Sequence, residues 1–276
     1  MPKQWFISDL HLASERPATI RLFERFVCDY PQTGDRLFIL GDLFDYWIGD
    51  DDDAPLAATV RATLAEAARR GIDIAIQRGN RDFLMGKRLM RDCGARLLPD
   101  CHLAQVAGQP TLLMHGDLLC TDDVDYQKAR RRFRNPLFQW LILRKPLDKR
   151  RRIAEEIRRK SGEATSLKNA DIMDVNAETV VRYLRRHKVR RLIHGHTHRP
   201  DTHQHTLPDG SHATRLVLPE WHEDHVTAWC DDGASLQPVQ VDQIAPGANI
   251  GRRSNASGTS NRASSASKSS VKSTSD

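Results

Sequence analysis

The sequence contains few cysteines, and none of them are closely spaced in pairs. It has five among 276 residues, an odd number, and no Cys-x-x-Cys. This pattern argues against a disulfide framework and against a thiolate zinc site, so a reducing compartment is the simplest interpretation. Residues 1–11 also lack the charged region and apolar stretch that are typical of a signal peptide.

Long apolar runs are missing as well. A helix that spans a bilayer needs about 20 apolar residues, and the longest candidate segment here, Pro136–Leu143, is far shorter. That segment can lie on a membrane but cannot cross one. The hydrophobic content of 39% is still too high for a fully disordered chain. The length allows one large domain or two small ones.

A uniform basic charge is absent, although the net charge is +6. Residues 124–170 carry a net +10 and residues 251–276 a net +4, which leaves −8 on the rest. The last 26 residues include ten serines. Such a segment cannot bury enough surface to offset its ordering entropy. The sequence therefore predicts a folded body over residues 1–244, with a basic helical insertion at 124–170, and a disordered tail over residues 245–276.

Short apolar runs alternate with segments of helical spacing over the first 200 residues. The runs predict strands at residues 5–7, 37–40, 72–76, 111–114 and 192–193, and the spacing predicts helices at 19–28, 55–70, 86–92 and 175–187. Later segments at 202–207, 213–218 and 226–230 indicate antiparallel strands, with a hairpin turn at Pro208, Asp209 and Gly210. This order predicts an α/β fold with a largely buried sheet.

Each of the first five predicted strands ends in a polar cluster. In chain order the clusters are Ser8-Asp9-Leu10-His11, Gly41-Asp42-Leu43-Phe44-Asp45, Arg78-Gly79-Asn80-Arg81-Asp82, His115-Gly116-Asp117 and His194-Gly195-His196-Thr197-His198. Any single cluster is more often a turn, a capped helix start or a core histidine. Five of them, each directly after a buried strand, are expected to meet at the carboxyl edge of the sheet, where α/β proteins bind ligands.

The residue types in these clusters restrict the metals they can bind. Asp, His and Asn without Cys offer oxygen and nitrogen ligands, which suit Mn²⁺, Fe²⁺, Zn²⁺ or Mg²⁺. Asp9 and His11 are expected on one side of an extended strand end, as are His196 and His198, because strand side chains alternate. A shared carboxylate at Asp42 could hold two metals about 3.5–4 Å apart.

In their order and spacing over residues 5–200, these motifs resemble those of the calcineurin-like metallophosphoesterases. The resemblance implies an α/β sandwich of mixed sheets flanked by helices, with the insertion as a helical cap. It also implies two Mn²⁺ ions bridged by Asp42. Carried over by position, one ion would be held by Asp9, His11, Asp42 and His198, and the other by Asp42, Asn80, His115 and His196.

A closer similarity, over about residues 5–235, is to the branch of that family that acts on a UDP-linked diacylated glucosamine lipid in lipid A biosynthesis. It depends on residues 6–12, 41–47, 79–83, 115–117, 172–176 and 193–200. The substrate contacts it implies are Asn80, Arg81, Asp123, Ser161, Lys168 and His196, with Thr165 standing where the family usually has Asn.

The resemblance also implies a mechanism. Two cations would make hydroxide available from a bridging water near neutral pH, and it would attack the α-phosphorus in line. Asp42 and Arg81 are the expected catalytic residues, with Arg81 stabilising charge on phosphoryl oxygens. Many relatives have His at the position of Arg81, where it can act as a general acid. A sugar phosphate leaves readily without a general acid, so Arg fits pyrophosphate hydrolysis, giving UMP and the acylated sugar 1-phosphate.

Two further residues are expected to have supporting roles. Asp45 is expected to orient a ligand or nearby backbone, and His194 is expected to be structural.

The basic insertion admits three interpretations: a solvated cap, a nucleic-acid surface, or an element that contacts membrane and acyl chains. Its apolar block favours the third, because binding to a phosphate backbone does not require one. Together with this block, the resemblance implies a peripheral enzyme on the anionic, cytoplasmic face of a bacterial inner membrane, with neither a nucleic-acid partner nor an obligate protein partner. Two alternatives stay open: a phosphoesterase acting on nucleotides or DNA, and a nucleic-acid or membrane-binding module with a vestigial metal site.

Overall fold

Two mixed β-sheets form the body of the protein. A computed structural model describes residues 2–166, 174–223 and 226–241, with side chains omitted over 160–166. The strands are β1 (Gln4–Ile7), β2 (Arg36–Leu40), β3 (Asp73–Gln77), β4 (Ala95–Leu97), β5 (His102–Val106), β6 (Gln109–Leu113), β7 (Arg191–His194), β8 (Thr202–Thr206), β9 (His212–Val217), β10 (Thr227–Asp231) and β11 (Leu236–Gln240). The first sheet has the order β11-β10-β1-β2-β3-β4, and the second has the order β5-β6-β7-β9-β8.

Parallel strands occupy the part of each sheet that leads to the polar clusters. β1, β2, β3 and β4 are parallel neighbours, as are β6, β7 and β9. Antiparallel strands β10 and β11 extend the first sheet, and β5 and β8 form the edges of the second. The carboxyl ends of β1, β2 and β3 therefore lie at one edge of the first sheet, and those of β6 and β7 lie at one edge of the second.

Seven helices among the described residues complete the layers. They are α1 (Pro17–Asp29), α2 (Pro55–Arg69), α3 (Lys87–Cys93), α4 (Val124–Phe133), α5 (Pro136–Leu143), α6 (Leu147–Ser166) and α7 (Ala177–His187). The apolar faces of α1, α2 and α3 cover the first sheet, and that of α7 covers the second. A third cluster, which includes Phe6, Phe38, Leu113 and Ile193, fills the space between the sheets. Burial of these faces from water holds the layers together.

The α/β class and the elements predicted from apolar spacing are confirmed, with ends shifted by only a few residues. Three strands were not predicted. β4 has only three residues, β5 is largely half-exposed, and β11 contains Pro238, which is unfavourable in a strand. The expectation of a single sheet edge needs correction, because the five polar clusters come from two sheets.

Over its described residues, 124–166, the basic insertion forms the helices α4, α5 and α6. Asp123 caps α4 by accepting the backbone N–H of Tyr126 at 3.0 Å, and Asn135 caps α5, which begins at Pro136. None of the helices in the described part of the chain has the length and apolar character that crossing a membrane requires. The predicted tail, residues 245–276, lies outside the described residues.

Candidate metal centre

The backbone turns sharply at the candidate ligands. Seven non-glycine residues of the described chain have positive φ, and five of them are Asp9, His11, Asp42, His196 and His198. The prediction that Asp9, His11 and the two histidines lie on extended strand ends is therefore wrong: each occupies the left-handed region, just beyond its strand. Residues other than glycine rarely adopt this backbone conformation. A cluster of five such residues in one place is typical of a functional site.

One group of potential ligands joins the ends of β1 and β7. The Nε2 atoms of His11 and His198 are 3.3 Å apart, and His198 Nε2 lies 3.5 Å from Asp9 Oδ1. Asp42 Oδ2 is 3.9 Å from His11 Nε2. Adjacent ligand atoms about 2.1 Å from a common ion lie roughly 3 Å apart, so small adjustments bring these four residues around one ion.

A second group lies on the other side of Asp42. Its Oδ2 atom is 3.8 Å from His115 Nε2. Asn80 Oδ1 lies 2.9 Å from both His115 Nε2 and His196 Nδ1. The structure therefore brings together all seven predicted metal ligands in two groups that share the Asp42 carboxylate, the arrangement that a two-metal site requires.

The chemistry of these donors fits divalent cations. Burial lowers the pKa of His11 to about 4 and that of His196 to about 3, so both rings are neutral and offer a lone pair. Burial raises the pKa of Asp42 to about 6, a cost of desolvation that a bound cation removes. Asp9 Oδ1 and His11 Nδ1 are buried without a hydrogen-bond partner. A cation beside Asp9 Oδ1 would satisfy that oxygen.

Two glycines make room for the carboxylates. A Cβ at Gly79 would lie 1.9 Å from Asp42 Oδ1, and a Cβ at Gly195 would lie 2.0 Å from Asp9 Oδ2. Any larger residue at either position would displace a ligand. The Gly-Asn and Gly-His motifs of the sequence thus have a steric reason.

Asp82 supports the same turns, although the sequence did not assign it a role. It is fully buried, and its carboxylate accepts the backbone N–H groups of Gly79 at 2.6 Å and Leu43 at 2.8 Å. Burial, with Asp42 nearby, raises its pKa to about 7. Asp82 therefore ties the loop after β2 to the loop after β3.

Arg81 connects the metal groups to the cap. Its backbone N–H donates to Asp42 Oδ1 at 2.9 Å, while its side chain reaches Asp45 Oδ1 at 3.5 Å. Asp45 also pairs with Arg158 of α6 at 2.6 Å. Asp45 was expected to orient a ligand or nearby backbone, but the structure instead pairs it with these two arginines. His194 is structural as predicted: it is fully buried between Gly195 O and the Arg215 guanidinium.

An apolar cavity of about 420 Å³ lies between the cap and the body. Asn80 and Arg81 line it at the metal groups, and much of its remaining wall is apolar: Trp47, Phe83, Phe133, Phe138, Ile142 and Ile157. Its size falls in the range of small-molecule pockets, about 300–1,000 Å³. The apolar part of a ligand bound in this cavity would therefore lie beside the two candidate metal groups.

The predicted substrate contacts have different outcomes. Asn80, Arg81 and Asp123 line the cavity, and His196 lies beside Asn80. One oxygen of Asp123 already caps α4. Ser161 and Thr165 lie on α6, but their side chains are outside the described part of the structure, as is the whole of Lys168.

Known proteins resemble this chain over most of its length. Residues 2–200 match the model of the calcineurin-like phosphoesterase family. A protein of Edwardsiella ictaluri is 51% identical over 79% of this chain and 84% of its own length, and one of Hahella chejuensis is 44% identical over 87% and 98%. A third, from Actinobacillus succinogenes, is 47% identical over 81% and 93%. All three are named UDP-2,3-diacylglucosamine hydrolase. The resemblance inferred from the motifs is confirmed, and the chain belongs to the calcineurin-like phosphoesterase family, in the group of these hydrolases.

Proposed function

We propose that this protein hydrolyses the pyrophosphate bond of UDP-2,3-diacylglucosamine and releases UMP and 2,3-diacylglucosamine 1-phosphate. The observation that supports this most is the junction at Asn80 and Arg81. Here two oxygen- and nitrogen-rich ligand groups meet an apolar cavity of about 420 Å³. A site for an acylated nucleotide sugar needs both properties next to each other. A site for a nucleotide or DNA needs only the first.

Each residue at the junction has a separate task. Asn80 Oδ1 faces His115 and His196 and belongs to the metal groups. The Arg81 guanidinium is partly exposed and lines the cavity, so it can form bidentate hydrogen bonds with a phosphoryl group. The nearby carboxylate of Asp45 holds that guanidinium in place. Arg81 therefore orients the diphosphate and stabilises the charge that develops on it.

The metals we propose are two Mn²⁺ ions, one in each ligand group. Carboxylate, imidazole and amide ligands without thiolate suit this ion. When bound, such a pair lowers the pKa of a water and stabilises charge on phosphoryl oxygens. Asp42 then acts as the shared ligand, and the buried carboxylate of Asp82 keeps the two supporting loops in register.

The cap supplies the acyl contacts in this proposal. Apolar side chains from α4, α5 and α6 face Trp47 and Phe83 of the body across the cavity. Burying an acyl chain there contributes about 0.8 kcal/mol per methylene group. Asp123, Ser161, Thr165 and Lys168 are proposed to contact the polar part of the substrate.

A panel of substrates tests the class of reaction. The purified full chain, with Mn²⁺ and a reducing agent, is incubated with UDP-2,3-diacylglucosamine, a cyclic nucleotide or single-stranded DNA. We expect UMP from the first and no cleavage of the other two. An unacylated UDP-sugar serves as the matched control for the cavity and is expected to be a much poorer substrate. Cleavage of DNA or cyclic nucleotide in place of the lipid would overturn the proposal.

Arg81→Ala tests the arginine itself. The backbone N–H that supports Asp42 stays in this variant, so both ions are expected to remain bound. Loss of the guanidinium is expected to lower turnover about 10²- to 10³-fold, as for other transition-state donors. Arg88→Ala removes an exposed arginine that pairs with Asp92 and serves as the control. Unchanged turnover in Arg81→Ala with both ions retained would contradict the role.

We also propose that α5 lies on the cytoplasmic surface of the inner membrane. Among the described residues, four of six exposed large apolar side chains belong to this helix: Leu137, Trp140, Leu141 and Leu143. The guanidinium of Arg144 lies 4.1 Å from the ring centroid of Trp140. Apolar and basic groups side by side suit an anionic bilayer.

Binding to vesicles tests this surface. The variant Trp140→Ser with Leu141→Ser is expected to reduce cosedimentation with phosphatidylglycerol vesicles by at least tenfold, since each buried side chain contributes about 1.5–3 kcal/mol. Leu103→Ser is the matched control, because Leu103 is similarly exposed but lies on β5. Equal binding by the double variant and the control would exclude α5 as the contact surface.

A further inference from the structure

We propose that Glu220 is a positioning residue that fixes the ring of His198 and strengthens the binding of one of the two metal ions. Glu220 lies beyond the motifs, in the segment that follows β9. Its Oε2 atom is 2.8 Å from His198 Nδ1, on the side of the ring away from Asp9 and His11. The inference rests on the metal centre of the proposed function but does not depend on the substrate.

The hydrogen bond determines which nitrogen of His198 can bind a metal. A carboxylate accepts a hydrogen bond but cannot donate one, so Nδ1 carries a proton, and in the neutral ring that a metal binds it is Nε2 that has the lone pair. Nε2 is the atom that lies 3.3 Å from His11 Nε2 and 3.5 Å from Asp9 Oδ1. Carboxylates paired in this way with metal-binding histidines fix the ring and raise its basicity.

Two of the other histidine ligands, His115 and His11, are held in a different way. His115 Nδ1 contacts the backbone carbonyl of Leu40 at 2.9 Å, which no substitution removes. The side chain of His11 is buried, so packing restricts its ring. The His198 side chain, by contrast, is 34% exposed. Without Glu220 its Nδ1 would face solvent, and its ring could rotate away from the centre.

The residue that follows Glu220 contacts the backbone of Asp9, which belongs to the same ligand group as His198. The N–H of Trp221 donates to Asp9 O at 3.2 Å, and Arg16 donates to Trp221 O at 2.7 Å. Trp221 is fully buried, with its ring 5.7 Å from that of Phe26. The segment that presents Glu220 is therefore anchored in the core, which makes its carboxylate a fixed reference point for the His198 ring.

A titration of Mn²⁺ into the metal-depleted full chain tests the proposal. The free ion is followed by its electron paramagnetic resonance signal, and the parent is compared with Glu220→Ala and Glu220→Gln. The carbonyl of Gln still accepts the Nδ1 proton, so this variant is expected to retain most of the affinity. Glu220→Ala is expected to weaken one ion by about 10- to 100-fold and leave the other unchanged. Glu15→Ala removes an exposed carboxylate elsewhere and serves as the charge control.

The outcomes separate this proposal from the proposed function. Equal affinity of both ions in Glu220→Ala and in the parent would overturn the positioning role, as would a Gln variant as weak as the Ala variant. Circular dichroism shows whether each variant is folded. If the parent binds two ions but releases no UMP from the lipid substrate, the proposed substrate is wrong and the role of Glu220 stands. A parent that binds no ion overturns both.

Discussion

Arg130 anchors the cap to the body through a buried ion pair, and its removal is expected to be costly. Arg130 lies on α4, and its Nε atom donates to Asp117 Oδ2 at 2.6 Å. A second nitrogen donates to Asp100 Oδ2 at 2.7 Å. The side chains of Arg130 and Asp117 are only 10% and 3% exposed. Arg130→Ala therefore leaves the Asp117 carboxylate buried without its cation.

The magnitude follows from that burial. Removing one partner of a buried pair costs about 3–5 kcal/mol. This is a large part of the free energy of unfolding of a typical domain, about 5–15 kcal/mol. With a urea m-value of about 2–3 kcal/mol/M, the midpoint is expected to fall by roughly 1–2.5 M. Lys128→Ala is the matched control on the same helix, because Lys128 forms an exposed pair with Asp125. Its cost is expected to be about 0–1 kcal/mol.

Urea unfolding of the full chain at a fixed Mn²⁺ concentration measures both variants. The double variant Arg130→Ala with Asp117→Asn tests the mechanism, since removing the charge of the stranded carboxylate is expected to recover part of the lost stability. Similar midpoints for Arg130→Ala and Lys128→Ala would refute the reasoning. No recovery in the double variant would show that the loss comes from packing and not from the stranded charge.

Three shorter predictions concern the centre and the cavity. Gly79→Ala places a Cβ 1.9 Å from Asp42 Oδ1 and is expected to abolish binding of both ions, which a Mn²⁺ titration of the folded variant measures. Chelation is expected to stop UMP release and Mn²⁺ to restore it; activity that persists in fully metal-depleted protein would contradict the mechanism. Ile157→Trp fills part of the cavity and is expected to raise KM for the acylated substrate but not for an unacylated UDP-sugar; a parallel change in both would indicate a general defect.

The proximity of the seven candidate ligands was predictable because it depends on local pattern. Each of the five polar clusters follows an apolar run, and a strand that is buried up to its last residue delivers the next side chains to the sheet edge. The conformation of those side chains was not predictable. The left-handed φ of Asp9 and His198 depends on contacts from other loops, such as the bond from His196 N to Asp9 Oδ2 at 2.8 Å. The spacing of residues along the chain does not predict such contacts.

Side chains that contact the candidate ligands but belong to no motif could not be predicted from the sequence, for a related reason. Glu220 lies 22 positions after His198, in a segment with no periodic signal, and only the folded chain brings it to 2.8 Å. Asp123 shows the reverse case. The family pattern predicts it as a substrate contact, whereas the structure also uses one of its oxygens as the N-cap of α4. A residue type alone does not reveal how many tasks its side chain performs.

The segregated charge of the sequence holds the cap against the body and, in our proposal, also contacts an anionic membrane; the effect of salt distinguishes the two. Arg130 and Arg150 of the cap are buried against Asp117 and Asp51 of the body, so part of the +10 of the insertion holds the cap in place. Arg144, stacked on exposed Trp140, is one of the residues that we propose for the anionic surface. Exposed charges are screened more strongly than buried ones. Raising salt from about 0.1 to 1 M is therefore expected to release the chain from vesicles while its urea midpoint falls little. A midpoint that drops together with vesicle binding would mean that the cap is held by exposed pairs after all.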